Sequence, residues 1–350
     1  MSVLHSQPSR IFRGSPIYYE QIEGVAFGLN SIDFLSLNLP PICNYHCIFC
    51  FASGTSDNQS RLNDIRRNSL TYDEYTRIIQ EARRLGVRHL EISGEGEPDL
   101  PIFRDYLRHI ISEATENGIH TAVFVNGSWL DESLLDFLKS RDTSLAISIK
   151  YLDSEKYDRV VGIDGAYRRV RQNIDVACDV LGGFTEIDGI KIYRLAFNST
   201  VFNDNLDDNH RLQQFCEEHE IFFHLSTLIS HGKTEGVVID PEAQAVLSRE
   251  LSHNSIILAN SSKRELGFPV CGTFYYGIGI NYDGEVVFDA HANDTTGIIG
   301  NIREIRLIEA VKRQRKMRDS FYKEGSGSSY CPLRDPAYER FIDHYGKERF

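Results

Sequence analysis

The chain alternates short apolar, β-branched runs with longer stretches whose apolar residues recur every three or four positions. The first pattern is typical of buried strands and the second of amphipathic helices. Strands are predicted at Phe34–Leu39, Val87–Ile92, Thr121–Val125, Leu145–Ile149, Lys191–Phe197 and Ile221–Ser226. Helices are predicted at Tyr72–Leu85, Pro101–Glu116, Asp131–Lys139, Ala166–Leu181 and Leu206–His219. This βα repetition indicates a parallel sheet covered by helices.

The helix at Tyr72–Leu85 carries the clearest end signals. Thr71 and Glu74 form a capping-box pattern at its start, and Gly86 stands just after its end. Six βα units are too few for a closed eight-stranded barrel. We therefore predict a partial (β/α)6 TIM-like barrel, and a doubly wound sheet is the competing architecture.

A second pattern begins after the barrel-like region. A polar connection with one helix near Pro241–His253 is followed by a predicted β-hairpin, Ile278–Phe288, with Asp283-Gly284 at its turn. A basic helix is predicted around Glu304–Met317. The predicted α/β chain thus divides into an N-terminal extension (1–33), a core (34–232), a connection (233–267) and a small C-terminal α+β module (268–350).

Composition narrows the class of protein. The 350 residues are 41% hydrophobic with a net charge of -12, which is typical of a globular protein and disfavours nucleic acid as a partner. We find no 18-residue apolar run for a membrane span and no secretory signal in Met1–Gly14, so we expect a cytoplasmic protein. Seven cysteines, an odd number, favour reduced thiols that serve metal binding or catalysis.

Three of these cysteines, Cys43, Cys47 and Cys50, follow the first predicted strand in C-x3-C-x2-C spacing. Closely spaced thiolates hold iron–sulfur clusters, and three ligands leave one iron open to another ligand. The alternative is a structural zinc site with His46 as fourth ligand. It is disfavoured because zinc sites usually pair two short knuckles, and no second one follows nearby.

With Asn44 after the first cysteine and Phe49 before the third, the motif resembles that of the radical S-adenosylmethionine (radical SAM) superfamily. The resemblance implies that the three cysteines hold a [4Fe-4S] cluster whose open iron binds the amino and carboxylate groups of SAM. It also implies reductive cleavage of SAM to a 5′-deoxyadenosyl radical that abstracts hydrogen from a substrate. An external electron donor such as flavodoxin or ferredoxin is implied as a partner.

A second motif, Gly94-Glu95-Gly96-Glu97-Pro98, follows the second predicted strand and resembles the family's GGEP motif. Gly94 and Gly96 allow close backbone approach, and the resemblance makes Glu97 the acceptor for the SAM amino group. The alternative is a glycine-rich turn with solvated carboxylates.

The resemblance extends to the ends of later strands. Phe49, Asn126, Ser148 and Lys150 match positions that contact SAM in the family, although Lys150 replaces a residue that is often acidic. Asn198 and Asn205 are weaker candidates after the fifth strand. Each is, as an alternative, an ordinary polar residue at a strand end, but barrel sites are built at such ends.

The remaining cysteines fall into two pairs. Cys178 and Cys216 lie on apolar helix stripes and fit buried structural thiols. Cys271 and Cys331 flank a region, through Gly300, that resembles the SPASM and twitch auxiliary-cluster modules of the superfamily.

The role of Cys271 and Cys331 is left open among three alternatives. They hold a second iron–sulfur cluster with Asp289 or His291, which stand where a cysteine is expected; one donates a hydrogen atom as a catalytic residue; or both belong to a degenerate module.

The substrate is the least constrained prediction. About thirty residues precede the first strand, which leaves no room for a leader-binding domain. We therefore expect C–H oxidation or epimerisation of a small metabolite or sugar-like intermediate. A ribosomal-peptide maturase and a non-catalytic metal-stabilised scaffold are the alternatives. Substrate-facing candidates are His224, Ser226, His231 and Lys233.

Overall fold

The computed structural model describes residues 10–14, 32–50, 59–94, 96–201, 205–227, 233, 277–287 and 297–323. Its strands are β1 (Arg10–Phe12), β2 (Phe34–Leu39), β3 (His89–Gly94), β4 (His120–Val125), β5 (Ser144–Ser148), β6 (Phe184–Ile187), β7 (Ile190–Tyr193), β8 (Leu195–Val201), β9 (Phe222–Thr227), β10 (Gly277–Ile280), β11 (Glu285–Val287) and β12 (Ile298–Asn301). Its helices are α1 (Gln59–Asn68), α2 (Tyr72–Arg84), α3 (Arg104–Glu116), α4 (Glu132–Ser140), α5 (Ser154–Val161), α6 (Ala166–Leu181), α7 (Leu206–Glu218) and α8 (Leu307–Lys323). The predicted helix near Pro241–His253 lies outside the described residues.

The main sheet has nine strands in the order β12-β11-β10-β2-β3-β4-β5-β8-β9. Its six parallel strands from β2 to β9 follow one another along the chain, with helices between them. Every residue of β2 is buried, as expected for a strand covered on both faces. Over the described residues the sheet does not close, so the predicted α/β fold with a partial barrel is confirmed.

One strand prediction is wrong. The run Lys191–Phe197 forms two strands, β7 and β8, which separate at Arg194 and belong to different sheets. β7 pairs with β1 and β6 in a three-stranded sheet, whereas β8 continues the main sheet. The guanidinium of Arg194 donates to the carbonyls of Leu138 and Thr143. This charged residue therefore interrupts the apolar run, and its side chain is held by hydrogen bonds of its own.

Helix α2 shows the predicted capping box. The Glu74 amide donates to Thr71 Oγ1 at 3.3 Å, and the Thr71 amide donates to Glu74 Oε2 at 2.7 Å. Gly86 follows with φ +94°, as its position after the helix requires. Arg303 donates to Glu74 Oε1 at 2.6 Å and lowers the pKa of Glu74 to about 2. The helix cap is therefore also an attachment point for the C-terminal segment.

The predicted C-terminal hairpin is present and joins the main sheet. β10 and β11 are antiparallel, and Gly284 adopts φ +87° in the turn between them. β10 also pairs in parallel with β2, in the register Ile278 to Leu35. The hairpin thus extends the barrel sheet. The proposed division of the chain into four segments stays a prediction. No helix in the described part of the chain is long and apolar enough to cross a membrane.

Two neighbouring histidines begin β3 and β4. His89 is 2% exposed, and its ring centroid lies 6.2 Å from that of His120. Burial lowers the pKa of His89 to about 3, and burial followed by the charge of Arg13 lowers that of His120. Since both side chains are held neutral, a proton binds them more readily in the unfolded chain.

This pair makes folding stability depend on pH. Unfolded histidine titrates near pH 6.5, so its stabilisation is complete above that value and is lost as the pH falls below it. We expect His89→Gln to reduce the slope of unfolding free energy against pH, between pH 6.5 and 5, by up to about 1.4 kcal/mol per unit. Urea unfolding at several pH values measures this slope. The exposed His219→Gln serves as control, and an equal change in both variants would contradict the assignment.

Candidate functional site

The cysteine loop leaves β2 and is fastened to the end of α5. The amides of His46 and Ile48 donate to the carbonyls of Val161 and Val160 at 2.8 and 3.0 Å. Gly162 ends α5 with φ +70°, and a Cβ there would lie 3.0 Å from that of His46. The loop therefore has a fixed backbone path across the carboxyl end of the barrel.

The three thiols of this loop are half-buried and free of disulfides. Burial raises the pKa of Cys47 to about 12 and that of Cys43 also, and the neighbouring thiols add to both shifts. Among the described residues, no three His, Cys, Asp or Glu side chains are already grouped to hold a metal ion. Metal binding would require these side chains to turn and lose their protons. His46, the fourth ligand of the alternative zinc site, is exposed.

The glycine-rich turn after β3 packs directly on the cysteine loop. Glu97 donates its amide to the Ile42 carbonyl at 2.8 Å. A Cβ at Gly96 would lie 2.5 Å from the Ile42 oxygen and 2.6 Å from its nitrogen. Gly94 pairs with Leu39 at the last position of the two strands. The two motifs therefore meet backbone to backbone, at a distance that only glycine allows.

Glu97 presents a buried carboxyl group at this junction. It is 3% exposed, and its Oε2 accepts from the Asn126 amide at 2.7 Å. Oε1 accepts from no N–H or hydroxyl group among the described residues, and the carboxyl group shares a hydrogen bond with that of Asp99. Burial and the neighbouring carboxyl of Asp99 raise the pKa of Glu97. Such a group is stabilised by a ligand that brings a positive charge and N–H donors.

Asp99 is a second buried carboxyl group, which sequence reasoning missed. It is 0% exposed, and burial raises its pKa to about 6. Arg104 offsets part of this effect, but its guanidinium is also paired with Asp131. The signal in the sequence was its position two residues after Glu97, in the same turn.

A chain of amide hydrogen bonds ties β4 to the cysteine loop. Asn126 Nδ2 donates to Asn44 Oδ1, and Asn44 Nδ2 donates to Ser128 Oγ, each at 2.9 Å. The Ser128 amide donates back to Asn126 Oδ1 at 2.9 Å. Asn126 Nδ2 also lies 3.9 Å from the sulfur of Cys43. The predicted residue Asn126 thus contacts both motifs, and Ser128 is an addition to the site.

Lys150, Ser148 and Phe49 meet on the opposite side of the loop. Lys150 is 1% exposed, and its Nζ donates to Ser148 Oγ at 2.9 Å and to the Asn198 carbonyl at 2.8 Å. The same nitrogen lies 5.0 Å from the ring centroid of Phe49. Burial lowers the pKa of Lys150 to about 7, while Cys47 opposes this shift. A buried amine thus stands close to the thiols.

The weaker candidates separate in the structure. Lys233 reaches the cysteine loop, since its Nζ donates to the Cys47 carbonyl at 3.3 Å. Asn205 Nδ2 donates to the Thr200 carbonyl at 2.9 Å, which fits a structural role at the start of α7. His224 stacks edge-on with Phe124 at 6.2 Å. The side chain of Ser226 and the whole of His231, Cys271, Asp289, His291 and Cys331 lie outside the described residues.

The two helix cysteines occupy apolar surroundings. Cys216 is buried, and Cys178 packs partly buried against the same core. Burial raises the pKa of both thiols, that of Cys178 to about 11. Their positions agree with the expected structural role.

The donor set fits a thiolate-bound cluster beside a ligand with an ammonium group. Three thiols, a buried carboxyl group and a buried amine stand after β2, β3 and β5, at the carboxyl ends of parallel strands in the described part of the chain. Ligand sites of α/β folds form at this edge of the sheet. The arrangement can hold a soft metal through sulfur and orient a zwitterionic ligand next to it.

Comparison with known families agrees with this donor set. The family model described as the radical SAM superfamily matches residues 37–193. This range includes the cysteine loop, the Glu97 turn, Asn126 and Lys150.

Curated relatives match part of the chain. A probable GTP 3′,8-cyclase of Thermococcus kodakarensis is 30% identical over 131 residues, which are 37% of this chain and 39% of the relative. GTP 3′,8-cyclase of Pectobacterium atrosepticum is 30% identical over 156 residues, 44% of each chain. The matched region thus spans less than half the length of these relatives.

Solved structures with low sequence identity share the fold. Streptococcus suis SuiB bound to precursor peptide SuiA has a TM-score of 0.61 at 16% identity, covering 81% of this chain and 65% of SuiB. Native anSMEcpe with bound AdoMet has a TM-score of 0.57 at 13% identity, covering 81% and 82%. These likenesses support the partial-barrel architecture.

Because Gly96 packs against the backbone of the cysteine loop, adding one methyl group at this position should strongly affect stability and metal binding. In Gly96→Ala the new Cβ meets backbone atoms that no rotamer change can move, so the two motif loops must separate. We expect a loss of stability of about 1–3 kcal/mol and reduced iron uptake on reconstitution. Denaturant unfolding and iron analysis measure the two effects.

Gly165→Ala is the matched control. Gly165 has φ +74°, and a Cβ added there would have no atom within 4 Å. This variant should therefore show only the backbone strain of about 1 kcal/mol. Equal iron uptake by the two variants would contradict a specific contact at Gly96.

Proposed function

We propose that the chain is a radical SAM enzyme that reductively cleaves SAM at a [4Fe-4S] cluster held by Cys43, Cys47 and Cys50. The observation that carries this proposal is the buried carboxyl group of Glu97, whose Oε1 accepts from no N–H or hydroxyl group among the described residues, in the turn packed against the cysteine loop. When bound, the cluster and SAM would supply a 5′-deoxyadenosyl radical for hydrogen abstraction from a substrate.

Glu97 and its neighbours would bind the amino end of SAM. Oε1 would accept from the ammonium group, and the absent side chain of Gly96 holds this turn against the cysteine loop. The Asn126 amide holds the other carboxylate oxygen in place at 2.7 Å. The ammonium charge also offsets the burial that raises the pKa of Glu97, which favours the ionised carboxylate in the complex.

Lys150, Ser148 and Phe49 would form the other side of the cofactor site. The Nζ of Lys150 is within hydrogen-bond distance of Ser148 Oγ and supplies a positive charge for the carboxylate of SAM. Phe49 offers a ring face 5.0 Å from this nitrogen. Lysine, in place of the acidic residue often found here, is held by the Asn198 carbonyl at 2.8 Å.

For the substrate, we favour a small metabolite or sugar-like intermediate that undergoes C–H oxidation or epimerisation. The curated relatives carry the names of enzymes for a small molecule, GTP. A peptide substrate is the second candidate, because SuiB is known in complex with a precursor peptide, although its likeness at 16% identity concerns the fold. A short precursor-peptide gene beside this one would favour the second candidate.

The proposed reaction also needs an electron source and a fate for the substrate radical. An external electron donor such as flavodoxin or ferredoxin would reduce the cluster. Cys271 and Cys331 would hold a second iron–sulfur cluster or donate a hydrogen atom to the substrate radical. A cluster suits oxidation, because it removes the electron of the substrate radical, and a thiol donor suits epimerisation.

The three loop cysteines should be required for SAM cleavage. After anaerobic reconstitution and dithionite reduction with SAM, we expect 5′-deoxyadenosine from the native chain and none from Cys43→Ala, Cys47→Ala or Cys50→Ala. Cys178→Ala should retain the activity, because its thiol lies in the last turn of α6 and is not part of the cysteine loop. Mass spectrometry detects the product. Full cleavage by Cys47→Ala would refute the assignment, and bound zinc with no cleavage would favour the scaffold.

Glu97→Gln should weaken SAM binding, because the amide removes the charge that accepts from the ammonium group. Hydrogen bonds to charged groups contribute about 1.5–3 kcal/mol, so affinity should fall at least about tenfold. Calorimetric titration of SAM into the reconstituted, unreduced protein measures it at constant iron content. Glu186→Gln, an exposed substitution on β6, is the control, and unchanged affinity of Glu97→Gln would remove Glu97 from the site.

A further inference from the structure

A separate cavity of about 380 Å³ opens at the amino ends of β3, β4 and β5. The cysteine loop and the Glu97 turn stand at the carboxyl ends of the barrel strands. The six residues of β4 place the two ends about 16 Å apart, at about 3.3 Å per residue. The cavity is therefore distinct from the proposed SAM site.

The cavity wall carries an excess of positive charge. Four arginines, Arg13, Arg83, Arg88 and Arg141, line it together with one carboxylate, Asp142. The chain as a whole has a net charge of -12, so this surface opposes the general charge of the molecule. Clustered guanidinium groups repel one another, and a bound anion relieves that repulsion.

The carboxylates near the cavity neutralise only part of this charge. Asp142 is shared between Arg13 and Arg194, and it adopts an unusual φ of +52° in doing so. Glu116 stands 3.9 Å from Arg141, at the limit of an ion pair. Arg83, in the last turn of α2, forms no ion pair with any described residue. At least two guanidinium groups are thus available to a ligand.

The arginines also neutralise the negative carboxyl ends of nearby helices, but their positive charge exceeds what the helix ends require. α2, α3 and α4 end beside the cavity, and the carboxyl terminus of each helix carries about half a negative charge. The three ends together offset about half of the excess of three positive charges in the lining. His120, also in the wall, is held neutral by burial and by Arg13 and Arg194, which lower its pKa.

We propose that this cavity binds a small molecule with a diphosphate group, and that Arg83 and Arg141 donate to the phosphate oxygens. The planar guanidinium fork matches phosphate geometry, and two forks on one cavity wall can hold two phosphates. The volume of the cavity admits such a group. This inference does not depend on the proposed SAM cleavage, because its residues lie at the other end of the strands.

The test uses inorganic pyrophosphate as the probe and the full chain as the protein. Calorimetric titration at low ionic strength should show one site in the native chain. In Arg83→Ala/Arg141→Ala the affinity should fall at least about tenfold. Both side chains reach solvent at helix ends, so the variant is expected to fold, and circular dichroism checks this.

Arg168→Ala/Arg169→Ala is the matched control. Both arginines are exposed on α6 and lie outside the cavity lining, so their loss removes the same charge and should leave pyrophosphate binding unchanged. Absence of binding to the native chain, or equal binding by the double variant, would overturn the proposal. An equal loss in Arg168→Ala/Arg169→Ala would also overturn it, since binding would then follow net charge only. SAM cleavage measured in parallel should be unchanged in the double variant, which separates the two proposals.

Discussion

The site depends on one backbone contact, between the turn after β3 and the loop after β2. The Glu97 amide donates to the Ile42 carbonyl at 2.8 Å, and the absent side chain of Gly96 lets the two segments touch. This contact exists because β2 and β3 run parallel in register up to the pair Leu39 and Gly94, so that both chains leave the sheet at the same height. The position of the thiols relative to the carboxyl group is set by the sheet itself.

Around that contact, the site places opposite charges that are each costly to bury. Glu97 and Asp99 are buried carboxyl groups whose pKa values are raised, and Lys150 is a buried amine whose pKa is lowered. Each shift arises first from burial, which makes the charged form of the group less stable than the neutral form. A ligand with an ammonium group would stabilise the charged form of the buried carboxyl groups, and its carboxylate group would stabilise the charged form of Lys150. The charge distribution is thus better suited to an amino-acid-like ligand than to a simple anion or cation.

Sequence patterns within a few residues predicted the elements that such short patterns determine. The capping box was recognisable because Thr71 and Glu74 are three residues apart in the sequence. The strand Phe34–Leu39 was recognisable because its apolar residues lie in one short run. Helix α1 was missed because its ten residues are largely charged and polar and have no broad apolar stripe. The pairing of β7 with β1 was also missed, because the two strands are far apart in the sequence and no local pattern encodes their contact.

In the site, too, residues close together in the sequence were easier to recognise than residues that meet only in the folded chain. Cysteine spacing and the Glu97 motif identify the chemistry because those residues are close in sequence. Ser128, by contrast, is recognised only through its hydrogen bond to Asn44, which is 84 residues away in the sequence.

The C-terminal segment has a structural consequence that does not depend on a second cluster. β10 pairs with β2 on the side opposite β3, so the strand that leads into the cysteine loop is held from both sides. The buried side chain of Asn38 donates to Asn281 Oδ1 at 2.9 Å, one residue before β2 ends. Arg303 holds the same segment to Glu74 at the start of α2. A displacement of the C-terminal segment would therefore be transmitted to β2, and through β2 to the thiols, whether or not Cys271 and Cys331 bind metal.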